Sequence, residues 1–178
     1  MLPSRSLVLA SLGATFAAAP LWAQAPGQTF HAPGFEITLP AGSPEPVQRQ
    51  EGGNTIYVST SNAWAIMILR WGPVPVSDTS TAAIRGTLRS FATAILRPEP
   101  NRTFGDAQKV SFADRIALRK PVTLRGPFGT LHGVDELSIS RLGEPVLWEV
   151  RVSSRANGAS ADAARNQVLD SIHLTPAP

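Results

Sequence analysis

Ala63-Trp64-Ala65-Ile66-Met67-Ile68-Leu69-Arg70 is the stretch on which the fold turns. The run has the length of a strand and is too short for an independent helix. Successive strand side chains point to opposite faces. Trp64, Ile66 and Ile68 therefore share one face, and Ala65, Met67 and Leu69 share the other. Both faces are apolar, which places the strand inside a sheet covered on both sides. It is also the longest apolar run after the N-terminal one, and a membrane-spanning helix needs ~20 such residues. Trp71-Gly72-Pro73-Val74-Pro75 then breaks out of the strand.

Upstream, Thr55–Ser59 reads as a partner strand, joined through the polar turn Thr60-Ser61-Asn62 and preceded by the turn Gly52-Gly53-Asn54. Phe35-Glu36-Ile37-Thr38-Leu39 alternates apolar and polar, the strand period of two, and Pro40 stops it. Ala41–Pro46 is a Gly/Pro/Ser loop. Downstream, Ser77, Asp78 or Thr79 can cap a helix whose stripe is Ile84, Leu88, Phe91 and Ile95, with Arg85 and Arg89 toward water. Pro98 and Pro100 end it. Lys109–Phe112 and Arg115–Arg119 are short strands, and Pro121–Leu124 extends the second. His132–Ser140 and Pro145–Ser153 form the clearest hairpin, around Arg141-Leu142-Gly143-Glu144. Val146, Trp148, Val150 and Val152 face one way along it. Leu147, Glu149, Arg151 and Ser153 face the other. Ser160 caps a second helix with the stripe Ala161, Ala164, Val168 and Ile172, and Asp162 sits in its first turn.

Strands thus follow strands without helical crossovers, and two helices flank them. The order predicts an α+β fold: a mainly antiparallel sheet between helices, an α/β/α sandwich.

The pattern resembles the PsbP-like domains. Pro33-Gly34-Phe35-Glu36-Ile37-Thr38-Leu39-Pro40 is similar to their opening, and Asn166-Gln167-Val168-Leu169-Asp170-Ser171-Ile172-His173-Leu174 to their closing helix and the terminus it runs into. The element order between them also matches. The resemblance implies the sandwich fold and, since such domains are mostly non-enzymatic accessory subunits, including bacterial envelope proteins of the DcrB and LpqN type, a role in binding. It transfers no catalytic residue.

The N-terminus reads as a signal peptide over residues 1–25. Arg5 is the sole formal charge before Glu36, Leu7–Ala19 is apolar or small, and Ala23-Gln24-Ala25 offers cleavage after Ala23 or Ala25. Residues 26–33 read as an extended leader and 34–175 as one domain. The expected location is periplasmic or secreted, with no transmembrane segment after cleavage. The chain has no cysteine, which excludes disulfides, thiolate catalysis and a lipid-modified cysteine. Fourteen arginines stand against two lysines without forming a basic run, so nucleic acid is not an expected partner.

Reactive constellations are sparse. His132, Asp135 and Glu136 are the one local group of metal-ligand types. On a strand His132 and Glu136 share a face and Asp135 points away, so the carboxylates are expected to meet arginines of the hairpin instead. No G-x-S-x-G, G-x-x-x-x-G-K or G-x-G-x-x-G is present. No cofactor, metal or catalytic residue is assigned. Trp64 and Trp148 belong to the core by their phase. Trp71 and Pro73, with Arg125 and Phe128, combine aromatic, proline and arginine residues at strand ends and form the candidate interaction surface. The reading is an exported, non-enzymatic module that docks to an envelope protein or a small apolar ligand. The alternative is a small periplasmic hydrolase or metal-dependent enzyme using His132 and Glu136.

Overall fold

A computed structural model describes residues 27–76 and 78–176. The signal-peptide reading, and Ser77 among the candidate caps, lie outside the described residues. The strands before the first helix are β1 (Thr29–Ala32), β2 (Phe35–Thr38), β3 (Val47–Glu51), β4 (Asn54–Thr60) and β5 (Ala65–Pro73). Helix α1 (Thr81–Ile95) follows. Next come β6 (Arg102–Phe104), β7 (Gln108–Ser111), β8 (Arg115–Gly126), β9 (Gly129–Ser140) and β10 (Val146–Ser154). Helix α2 (Ala159–Asp170) and β11 (His173–Leu174) end the described chain.

Eight strands form one sheet in the order β3-β4-β5-β10-β9-β8-β6, with β7 also on β8. Every pairing in it is antiparallel. The period-two alternation of β10 divides the core. Val146, Trp148, Val150 and Val152 join Ile66 and Ile68 of β5 under Val168 and Leu169 of α2 and under Ile172, which was read on the helix stripe but lies just past the helix end. A second, three-stranded sheet, β1-β2-β11, closes the same face through Phe35, Ile37 and Leu174. On the opposite face Leu147, Leu137, Ile139, Ile116 and Leu118 pack against Ile84, Leu88, Ala92 and Ile95 of α1. The sandwich is thus as expected, an antiparallel sheet between helical layers.

The details depart from the sequence reading in several places. β5 continues through Trp71, Gly72 and Pro73 instead of breaking at Trp71. Its ladder shifts register there: Trp148 pairs Arg70 while Leu147 pairs Gly72. Trp71 is the extra residue of a bulge, which re-aims a side chain locally. The second face of β5 is less covered than its composition suggests. Met67 and Ala65 are half-buried, because α1 lies over β8 and β9. Phe91 is half-buried too. The cap of α1 is Ser80, whose side chain accepts from the Ala83 amide, while Asp78 accepts from the Ser80 amide at 2.7 Å. Helix α2 begins before Ser160, at Ala159, with Gly158 at φ 97° as its N-cap. That backbone suits glycine.

Four strands escape the sequence reading, the last of them β11, which pairs Leu174 with Phe35 of β2. β1 falls inside the stretch read as a leader and pairs along β2 from Thr29↔Thr38 to Ala32↔Phe35. β3 is exposed throughout and has no periodic apolar signal. β6 is three residues long. β8 is continuous through Pro121, where its outer neighbour changes from β7 to β6. A proline has no N–H to donate, and its carbonyl there accepts from Gly105. Gly133 also has a steric reason: an added Cβ would stand 2.8 Å from the Val152 carbonyl oxygen.

Candidate functional site

Asp135 and Glu136 are adjacent on β9 and point to opposite faces, and both are fully buried. Each carboxylate is held by arginines. On the α1 face Asp135 accepts from Arg151 Nε at 2.6 Å and Nη2 at 2.9 Å, and from Arg102 Nη2 at 3.1 Å. Asp135 and Arg151 are register partners, so the pair follows from the hairpin itself. Glu149 lies two residues from Arg151 on the same face. It approaches Arg151 at 3.6 Å and Arg102 at 3.9 Å and accepts from Trp71 Nε1 at 3.1 Å. Burial opposes the charge on Arg151, but Asp135, with Glu149 and Glu99, outweighs it and raises its pKa.

On the α2 face Glu136 accepts from Arg115 Nε at 3.1 Å and Arg119 Nε at 2.7 Å. Arg115 also donates to the Leu169 carbonyl, in the last turn of α2, at 2.9 Å and to the Ile172 carbonyl just beyond the helix. Its guanidinium lies 3.6 Å from the centroid of Phe112. Arg119 reaches Asp170 at 2.8 Å. Within α2, Arg165 is fully buried and donates to Asp162, to Ser154 at 3.1 Å and to the Ala156 carbonyl. Burial lowers its pKa against the opposing effect of Asp162.

These arrangements bind elements together. Asp135 and Glu136 spend their acceptor capacity on guanidinium groups, and charge-assisted pairs of this kind are the strong ones. His132 does stand on the Glu136 face of β9, half-buried between Thr123 and Ser154 in register. The Glu136 carboxylate, however, is turned to Arg115 and Arg119. Among the described residues no three His, Asp or Glu side chains gather as a metal group. His31 lies 3.2 Å from Glu36 and His173 lies 3.9 Å from Asp114, both histidines exposed. The sequence expectation that the carboxylates meet hairpin arginines describes Asp135 and Arg151. Four further buried arginines, 102, 115, 119 and 165, were not singled out in this role, because no local pattern marks an arginine that will point inward.

The four residues of the candidate interaction surface are separated by the sheet. Trp71 is half-buried over the α1-side core and tied to Glu149, and Pro73 is exposed at the end of β5. Both stand beside the β9–β10 loop, opposite Leu147 and Val146. Arg125 and Phe128 are exposed at the β8–β9 turn. The length of β9 lies between the two loops, on the order of 30 Å at strand rise. Phe128 is 63% exposed, and its carbonyl accepts from Arg155 Nη2 at 2.8 Å.

The solution structure of cyanobacterial PsbP (CyanoP) from Synechocystis sp. PCC 6803 is similar to this chain. The TM-score is 0.52 at 12% identity, and the match covers 89% of this chain and 98% of that one. The fold is PsbP-like. The sequence matches no protein-family model and no curated protein. Among the described residues no helix of this PsbP-like domain is long and apolar enough to cross a membrane.

Proposed function

We propose that this chain is an exported, non-enzymatic accessory module of the bacterial envelope that docks to a protein partner through the β8–β9 turn. Phe128 carries the proposal. It is the most exposed large apolar side chain among the described residues, at the tip of a paired hairpin whose backbone Arg155 fixes. An exposed aromatic with arginine nearby is a composition enriched at interfaces. The signal-like sequence of residues 1–25, and the sequence resemblance to PsbP-like domains, whose bacterial members include envelope proteins, support the envelope as its place of action. Trp71 and Pro73 belong to the other end of the sheet, so the docking surface is Arg125 and Phe128. The hydrolase or metal-enzyme reading has less support, since Glu136 is already held by two arginines.

A photo-crosslinking residue at position 128 should give one discrete adduct in an envelope fraction. The same residue at Leu142, exposed at the opposite end, should give none. Equal labelling from both positions, or no adduct from 128, rejects the docking surface.

A further inference from the structure

Strand β3 borders the eight-stranded sheet and pairs with β4 alone. All of its residues are exposed, Val47 to 59%. A sheet border carries N–H and C=O groups open to another strand, and proteins blunt it with proline, lysine, bulges or a covering element. β3 holds no proline or lysine. Its ladder with β4 runs from Val47↔Val58 to Glu51↔Asn54 without a register shift. The opposite border is broken, because β7 and the three-residue β6 divide β8 between them.

The turn after β3 fixes which groups face outward. Gly52 and Gly53, at φ 57° and 83°, form a two-residue turn closed by Glu51 and Asn54. The closing pair of such a turn exchanges its backbone bonds, and the pattern alternates along the strand. Glu51, Arg49 and Val47 therefore bond inward to β4. Gln48 and Gln50 turn their N–H and C=O groups to the open side.

We propose that β3 pairs with β3 of a second copy, antiparallel about a two-fold axis, so that the two sheets join into one. Both sides of a two-fold contact present the same patch, so the patch must complement itself. Residues opposite one another in an antiparallel pair share a face, so the axis passes where a residue meets its own counterpart. Centred on Gln50, the pairing sets Arg49 opposite Glu51 of the second copy on both sides of the axis. The two Gln50 residues then exchange backbone bonds with each other. Val47 comes opposite Gly53 of the second copy, where nothing stands within 4 Å of an added Cβ. Centred on Arg49 or Glu51, like charges stand opposite, which is destabilising. Centred on Gln48 or Val47, an outward-facing glutamine meets Pro46, which has no N–H to give. The contact is small, which makes the dimer weak. It lies on the far side of the sheet from the β8–β9 turn, so the Phe128 surface and this pairing stand or fall separately.

The test uses the chain from Pro26, which keeps every described element. Sedimentation equilibrium should show monomer–dimer exchange with a dissociation constant below about 1 mM. The Gln50 amide resonance of the ¹⁵N-labelled protein should shift with concentration, and those of β6 and β7 should stay. Arg49→Glu and Glu51→Arg each set like charges opposite, and each should weaken the dimer at least about fivefold. The variant carrying both changes restores opposite charges and should recover the dimer to within about twofold. A monomer at every concentration, which would leave the border to another protein, overturns the proposal. So does a dimer that moves β6 and β7 but not Gln50, one that neither single change weakens, or a double variant no tighter than the singles. Should a variant fail to fold, sedimentation and the Gln50 resonance of the unsubstituted protein still decide.

Discussion

Glu136 shows how one side chain comes to hold two layers. It lies on the central hairpin, accepts from Arg115 and Arg119, and through Arg115 reaches the Leu169 carbonyl in the last turn of α2. Removing its charge leaves two guanidinium groups buried beside a neutral amide. Breaking a buried pair from one side costs about 3–5 kcal/mol. We therefore expect Glu136→Gln to lower the urea midpoint by that amount, with hydrogen exchange at Ser171 and Ile172 accelerated more than at α1. A loss no larger than that of an exposed substitution refutes the role. Trp148 makes a second residue-scale case. It is 1% exposed between the sheet and Phe35, so Trp148→Ala should cost about 3–5 kcal/mol. Phe91 keeps part of its ring in water, and Phe91→Ala should cost roughly 1–2 kcal/mol. Equal losses in denaturant melts contradict that difference in burial.

Among the elements, α1 depends on a two-residue device at its start. Ser80 caps the helix and Asp78 fixes Ser80. Ser80→Ala should cost about 1 kcal/mol in thermal or urea melts. The side-chain and backbone hydrogen bonds from Ser80 lower the Asp78 pKa. The sign of the pH effect follows from that direction. A carboxyl with a lowered folded pKa contributes stability above its unfolded pKa, and the contribution fades as pH falls through the lowered value. Asp78→Asn should therefore match the unsubstituted protein more closely at about pH 2 than at pH 7. A difference that grows on acidification excludes the arrangement. The sequence reading found the right capping region but not the capping residue, because Ser77, Asp78, Thr79 and Ser80 all have side chains that can cap. Where the chain turns into the helix selects among them.

For the molecule as a whole, the N-terminal segment decides where the folded domain begins. β1 starts at Thr29, and Phe30 stacks edge-on against Tyr57 with centroids 5.1 Å apart. Cleavage after Ala23 or Ala25 leaves that strand intact, so the exported form should have a mass that begins at Gln24 or Pro26. An intact Met1 in a periplasmic extract refutes the export reading. A chain shortened to begin at Pro33 loses β1 and the Phe30–Tyr57 pair. It should be less stable by at least about 1 kcal/mol. An unchanged melting temperature shows that β1 does not support the domain.

What the sequence by itself determined is the set of long periodic elements and their class. Val146–Val152 alternates, Ile84–Ile95 recurs at helical spacing, and strands succeed strands, so an antiparallel sheet between helices follows from local pattern. Those signals are strong because burying one face of each element dominates its energy. Tertiary structure alone decided the rest. Residues 47–51 are a strand only because β4 supplies hydrogen bonds at the sheet's edge. Trp71 is half-buried only because a bulge turns it toward Glu149. Arg102, Arg115 and Arg119 are buried only because partners far along the chain neutralise or accept from them. The same holds for the distance between Trp71 and Phe128. An arginine's charge does not reveal whether a carboxylate awaits it. That depends on strand register and layer packing, which join residues distant in sequence.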